Sequence, residues 1–316
     1  MSARDLIMND LIDKNIASKK SQLLEYYRSR SAELSANVKQ TFSDSEYKKR
    51  AAAVNQGLAH AKDNLVKIIE QKGRKENWQQ KCILEGVLLV TYTNYIVMIE
   101  ARNAVWPYEY MTFSRRIGEI WEPFCQLCWE YGINKELAYF VPPLFKDVKR
   151  TLTQEIEELI DSLQISDEQR KELKAYYQKV WNLVTSGEIK LELDLHFQAE
   201  TKKYVVDFKS GFSSNEKGNT NRLLLVASVY KILEGNYHCL MFVRSVEDRN
   251  NHYLQILKNS GLWAVYCGSE TYDQICKFTK FNLAKWLSKN VNWEEDFDSE
   301  MFRHLQQNNL TQYLQW

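Results

Sequence analysis

Residues 188–210 read EIKLELDLHFQAETKKYVVDFKS, and the period of this stretch decides the fold. From 188 to 197 apolar and polar residues alternate strictly. Leu191, Leu193, Leu195 and Phe197 fall on one face, and Lys190, Glu192, Asp194 and His196 on the other, which predicts a β-strand. Residues 199–203 read as a polar turn and 204–210 as a second strand, so the pair predicts an antiparallel hairpin. Period two then sets Asp207 and Lys209 on a common face, away from Val206 and Phe208. Paired strands lie about 5 Å apart, so Asp194 and Asp207 can converge on one cation. Two carboxylates and a backbone carbonyl make a hard oxygen site suited to Mg²⁺. An ammonium two residues on can stabilise developing negative charge or orient the attacking water. Such a set serves metal-assisted hydrolysis of a phosphodiester.

An acid-x-Lys triplet is common by itself; the chain holds seven. Asp207-Phe208-Lys209 differs from the others in lying on an apolar strand with an acidic residue on the strand before it. Charges within a buried strand are costly unless paired or metal-bound. An exposed sheet face, with in-strand charges as edge protection, remains the competing reading.

Outward from the hairpin the chain alternates. Downstream the pattern predicts a helix over 221–233, a strand over 238–245, a helix over 251–259, a strand over 262–268, and a long amphipathic helix over 271–289 before a polar tail. Together these predict an α/β protein with a mixed central sheet flanked by helices. Upstream, all four prolines lie between Pro107 and Pro143, which leaves residues 1–105 free of the strongest helix breaker. Helices are expected over 3–40, from the capping box Ser43-Asp44-Ser45-Glu46 to Gly73, and over 77–101. Pro107 and Pro123 bracket an aromatic segment, helical around 115–121. Two further helices follow Pro142-Pro143, introduced by Thr151-x-x-Gln154 and Ser166-x-x-Gln169, the second reaching Val184. The expected organisation is a helical region over 1–105 and a core over 106–316 with a helical insertion at about 144–185. Residues 1–105 carry 17 Lys and Arg against 12 Asp and Glu, a surplus that suits DNA contact or dimerisation, or merely solvated helix faces.

Composition narrows the classes. With 44% apolar and 26% charged residues and a net charge of +1, the chain is neither disordered nor marked by bulk charge for a partner. The six cysteines follow no disulfide frame, and Cys125-x-x-Cys128 lacks the second half of a zinc site, so core packing is expected of it. No Gly-x-Gly-x-x-Gly or P-loop pattern supports a nucleotide cofactor. The greasy stretch 83–99 is interrupted by Glu85, Gly86, Thr91, Thr93 and Asn94, as in a buried helix rather than a membrane span. The start MSARDLIMND has no basic tract leading into an apolar one, and a cytoplasmic location is expected.

Asp194, Asp207-x-Lys209 and the order of elements around them resemble the PD-(D/E)XK nucleases, which include most Type II restriction endonucleases. The resemblance spans roughly residues 108–285. Gly118-Glu119-Ile120-Trp121-Glu122 matches the Gly-x-x-x-Glu setting that often completes the family's metal site, pointing to Glu122, with Glu119 as second choice. Leu193 stands where the family often has proline, and extra helix separates the glutamate from the hairpin. The resemblance implies a restriction-endonuclease-like core in which Asp194, Asp207 and the Phe208 carbonyl bind Mg²⁺. Lys209 would position or help deprotonate water, and Glu122 would hold a second metal or a metal-bound water. It further implies sequence-specific cleavage of double-stranded DNA by a homodimer, leaving 5′-phosphate and 3′-hydroxyl ends. A cognate DNA methyltransferase would be a genetic rather than a physical partner.

Ser213, Ser214, Asn215, Lys217, Asn219, Asn221 and Arg222 follow directly and could read bases or hold phosphates; a solvated loop explains them as well. Residues 249–252 are a weaker candidate of that kind. His196 either hydrogen-bonds a phosphate or, as is more usual, packs in the strand. A nuclease of repair or recombination, and a non-catalytic helical interaction protein, remain open as other functions.

Overall fold

The computed structural model describes residues 11–184, 189–213 and 216–316. Leu6 and Ile7 of the first expected helix, Glu188 of the first expected strand, and Ser214 and Asn215 lie outside them.

Three helices build the amino-terminal region: α1 (Lys20–Thr41), α2 (Tyr47–Lys75) and α3 (Gln80–Val105). Along α2, Ala51, Val54, Leu58, Ala61, Leu65 and Ile69 recur every three or four residues and are buried, so one stripe faces the core. α1 and α2 both pack on α3, which is buried on nearly every side. By length and composition α3 could cross a membrane, but 89% of its most apolar window is buried inside the fold, as befits a core helix. The single helix expected over 3–40 is interrupted before α1. Asp13 accepts from the Asn15 N–H at 2.7 Å and from Lys19 Nζ at 2.8 Å. That local pairing competes with helical hydrogen bonds and leaves a 3₁₀ turn at Ile16–Ser18. The Ser43–Glu46 capping box forms as expected and leads into α2.

α4 (Tyr110–Glu130) runs straight through Pro123, where the sequence suggested a boundary. The missing N–H and ring clash cost about 3 kcal/mol. Burial of Ile120, Trp121, Phe124, Cys125 and Cys128 on one face outweighs this, at about 1.5–3 kcal/mol for each large side chain. Two antiparallel helices follow, α5 (Phe145–Ser162) and α6 (Asp167–Val184). α5 starts six residues before Thr151, whereas α6 opens on the expected Ser166–Gln169 box, with reciprocal bonds of 3.0 and 3.2 Å.

The sheet has five strands in the order β1-β2-β3-β4-β5. These are β1 (Ala138–Tyr139), β2 (Leu195–Ala199), β3 (Lys202–Lys209), β4 (Tyr237–Val243) and β5 (Trp263–Cys267). β1/β2 and β2/β3 are antiparallel; β3/β4 and β4/β5 are parallel. The molecule is therefore α/β with a mixed open sheet. Between the parallel strands lie α7 (Lys217–Ile232) and α8 (His252–Asn259). Phe197, Val206, Phe208, Leu240 and Phe242 join one sheet face to the core of α1–α4. Val205, Met241 and Val243 join the other face to α7, α8 and the start of α5.

Several boundaries differ from expectation. The hairpin's first strand begins at Leu195, not 188, because the chain bends at Asp194. The bend turns Leu191 and Leu193 into the α7-side core while Leu195 and Phe197 face the other, so the four do not share a face. The helix expected over 271–289 is two, α9 (Ser269–Thr279) and α10 (Leu283–Asn290). Lys280 at φ +60° stops the first and the Asn282 side chain caps the second. The supposed polar tail folds as α11 (Trp293–Asp296) and α12 (Ser299–Gln307), burying Trp293, Met301 and Leu305.

Candidate functional site

Four of the residues singled out by sequence meet at one end of the β2–β3 hairpin. The register Leu195↔Val206 is the last formal pair, and Asp194 and Asp207 stand one step beyond it. Asp194 is tied to β3 by its own side chain: Oδ2 accepts from the Phe208 N–H at 2.6 Å. Asp207 is 2% exposed, and Lys209 Nζ lies 2.8 Å from its Oδ2. That ion pair is poorly aligned, leaving Oδ2 buried without a well-directed hydrogen bond. Arg222 Nη2 lies 3.8 Å from Asp207 Oδ1, and Asn219 Oδ1 accepts from the same guanidinium at 3.3 and 3.4 Å.

Glu122 reaches this group from α4. A Cβ placed on Gly118 would lie 2.7 Å from both Cβ and Oγ of Ser210, so only glycine lets the helix come this close to the end of β3. One turn later, Glu122 comes near enough to Asp194, Asp207 and Lys209 for their charges to act on its carboxyl, while Gln126 Nε2 donates to its Oε1 at 3.4 Å. Glu119 is instead held on the outer face by Arg115, at 2.6 Å, and does not join. The Gly-x-x-x-Glu spacing thus has a mechanical meaning here: the glycine sets the distance and the glutamate uses it.

Burial pushes the Glu122 carboxyl up to about 7; Asp194 and Asp207 push the same way and Lys209 opposes them. Asp194 is raised to about 6, first by burial and then by the Asp207 charge, despite the Phe208 N–H, Lys209 and Arg222. Burial works against the Lys209 ammonium, but Asp207 and Asp194 outweigh it and its pKa is raised. The acids here are short of positive charge and the lysine is held cationic.

Among the described residues no three His, Cys, Asp or Glu side chains are already spaced as a metal cage. Asp194 and Asp207, with the Phe208 carbonyl between Asp207 and Lys209, are the donors that could hold a hard cation. The raised Glu122 and Asp194 carboxyls fit such an ion, since added positive charge would relieve them, and Asp207 Oδ2 beside them has Lys209 as its partner.

The remaining candidates divide. His196 is buried, near the Leu193 N–H (3.4 Å) and the Tyr230 hydroxyl (3.5 Å), with burial lowering its pKa: a packed histidine. Lys217 and Asn219 are on α7 rather than in a loop, because the helix starts four residues before the expected 221; Asn221 and Arg222 lie on it too. Of these, Arg222 turns to the acids, while Lys217 and Asn221 are exposed. Phe212 and Ser213 are held by the residues just before α8. Asn250 accepts from the Phe212 N–H at 2.8 Å, and Asn251 donates to the Ser213 carbonyl and caps α8. Asn250 and Asn251 are thus structural. The Cys125 and Cys128 thiols are buried, as expected of core residues.

Neither Ser210 nor Arg244 stood out in the sequence. The largely buried Arg244 guanidinium donates to Ser210 Oγ at 2.7 and 3.1 Å and to the Gln315 carbonyl at 2.6 Å. Its backbone N–H bonds the Lys209 carbonyl at 2.9 Å. Arg244 therefore braces the strand end that presents Lys209. An arginine just past an apolar strand was the available signal.

No protein-family model, curated protein or solved structure matches the chain. The functional reading accordingly rests on these side chains.

Proposed function

We propose that the protein is a Mg²⁺-dependent, sequence-specific double-stranded DNA endonuclease with a PD-(D/E)XK-type core, acting as a Type II restriction enzyme. The observation that carries this reading is the pairing of Asp194, pinned to the Phe208 N–H, with Asp207 and Lys209, and with Glu122 brought against them past Gly118. One buried and two half-buried carboxylates left this short of positive charge are the pattern of a working site rather than of a structural ion pair.

Asp194, Asp207 and the Phe208 carbonyl would hold the ion. When bound, Mg²⁺ supplies charge neutralisation at the scissile phosphate and a more acidic water. Lys209, kept protonated by its acidic neighbours, orients the nucleophile and stabilises charge growing on the phosphate oxygens. Glu122, with a pKa of about 7, can take up a proton near neutral pH. Arg222 faces the same space with its orientation fixed by Asn219 and is placed to hold a phosphate oxygen. Hydrolysis would leave a 5′-phosphate and a 3′-hydroxyl. The reading carries with it a homodimer, a cytoplasmic setting and a cognate methyltransferase as genetic partner.

The test is to incubate unmethylated phage DNA with purified protein and Mg²⁺ and to sequence the ends. Discrete fragments with one recurring end sequence support the proposal. Gradual loss from ends would favour a repair or recombination nuclease. Cleavage that persists in Asp207→Ala would overturn the site.

A further inference from the structure

The α5–α6 hairpin has a surface that the fold itself does not use. Its root is seated, with Phe145 and Val148 buried beside Leu191, Leu193 and Phe212. Beyond the root it leaves the body. Among the described residues α6 buries no side chain, yet Leu173, Tyr176 and Val180 recur along it at 42, 56 and 57% exposure. On α5 and just past its end, Leu159 and Leu163 are exposed as well, at 60 and 40%. α6 pairs with α5 through Lys174 with Asp161 at 2.8 Å and Tyr177 with Thr153 at 3.5 Å, and Ile160 of α5 is buried. Leu173 and Tyr176 each precede one of those contacts by one residue, so the apolar stripe is turned about 100° away from α5. A stripe at helical spacing implies a covering surface.

Charge identifies what covers it. The root, residues 145–153 and 176–184, carries four basic side chains against one acidic. The outer half, residues 154–175, carries seven acidic against three basic. We infer that the hairpin docks on the hairpin of a second copy of this chain, antiparallel and two-fold related, as a four-helix arrangement. Only that orientation sets each acidic outer half on the partner's basic root; a parallel one sets like on like. A nucleic acid would suit Lys146, Lys149 and Arg150 but not the acidic half or the apolar stripe beside it. The inference holds whether or not the protein is a nuclease.

Two helices of 18 residues present a face of about 27 by 20 Å, below the ~800 Å² per partner of a firm complex. Association is therefore reversible and follows concentration. Sedimentation of the whole protein across a wide concentration range tests this. The mass is expected to climb from 37.4 kDa towards twice that value. Leu173→Glu with Val180→Glu should hold it at the monomer with an unchanged melting temperature. Lys146→Glu with Arg150→Glu, and separately Glu155→Lys with Glu158→Lys, should each weaken association more than ~10-fold, and an equimolar mixture of the two should restore it. These four side chains are exposed, so this arm does not depend on a core change. A wild-type mass fixed at the monomer, a dimer indifferent to these variants, or a mixture that fails to recover would each overturn the inference. So would loss of duplex DNA binding in Lys146→Glu/Arg150→Glu with the mass unaltered, which would make the root a nucleic-acid surface.

Discussion

Two groups of buried acids lie in this molecule, and they are treated differently. In the helical half, Glu100 receives a two-pronged Arg28, at 2.6 and 3.1 Å, and the Asp298 N–H at 2.8 Å. Nearby, Asp296 takes Lys20 at 2.8 Å, the Tyr92 hydroxyl at 2.8 Å and the Asn292 N–H at 3.0 Å. Arg28, Lys20, the Tyr92 hydroxyl and two backbone N–H groups serve these two carboxylates between them. At the end of the hairpin, Glu122, Asp194 and Asp207 crowd together around Lys209 and leave an Asp207 oxygen without a directed bond. The first group joins α1 and α3 to the segment between α10 and α12. The second ties β2 to β3 through Asp194 and the Phe208 N–H with its charges less evenly matched, which is the feature the proposed metal site would use.

The sharpest way to separate the two groups is to neutralise one acid in each. Asp194→Asn keeps an oxygen for the Phe208 N–H, and cleavage should fall ~10²–10⁴-fold while the melting temperature holds or rises. Single-turnover kinetics beside a thermal melt reads both. Glu100→Ala should do the reverse: about 3 kcal/mol of stability is lost in urea unfolding, with cleavage per folded molecule unchanged. Gly118→Ala crosses the boundary between them. The added methyl forces α4 from Ser210, costing about 1–3 kcal/mol and lowering cleavage more than the lost stability explains, read at a temperature where the protein stays folded.

The smallest effect is in pH. Glu122 and Asp194 titrate near 7 and 6 in the folded chain, above ordinary carboxylates. Between about pH 4 and 7 the folded state therefore binds more protons than the unfolded one, and stability falls as pH rises through that window. The metal-free melting temperature should be higher at pH 5 than at pH 8 from this source, and Mg²⁺ should reduce the gap. The Asp194→Asn/Glu122→Gln protein should show less of it, whereas Glu100→Ala should leave the Mg²⁺ response intact.

Much of this site was legible in the sequence because alternation is a local property. Asp207 and Lys209 share a face by period two, and a thirteen-residue separation across a short turn sets Asp194 opposite. The part that could not be read depends on contacts distant in sequence. Asp194's bend comes from its side chain capturing a backbone N–H on the next strand, which no periodicity encodes. Pro123 reads as a stop until the burial of Trp121 and Phe124 is known. Lys217 and Asn219 looked like loop residues because the polar first turn of α7 hides the helix start. Glu122 was marked by motif, but its reason, the clearance between Gly118 and Ser210, exists only once helix and strand have met.

Arg244 links the hairpin to residues made much later. Ser210 and the Gln315 carbonyl share its guanidinium, so the strand end carrying Lys209 reaches its final form only after the ribosome has produced Gln315. A chain lacking Gln315 would keep Asp194, Asp207 and Lys209 in place but lose one of the groups that hold the Arg244 guanidinium against Ser210.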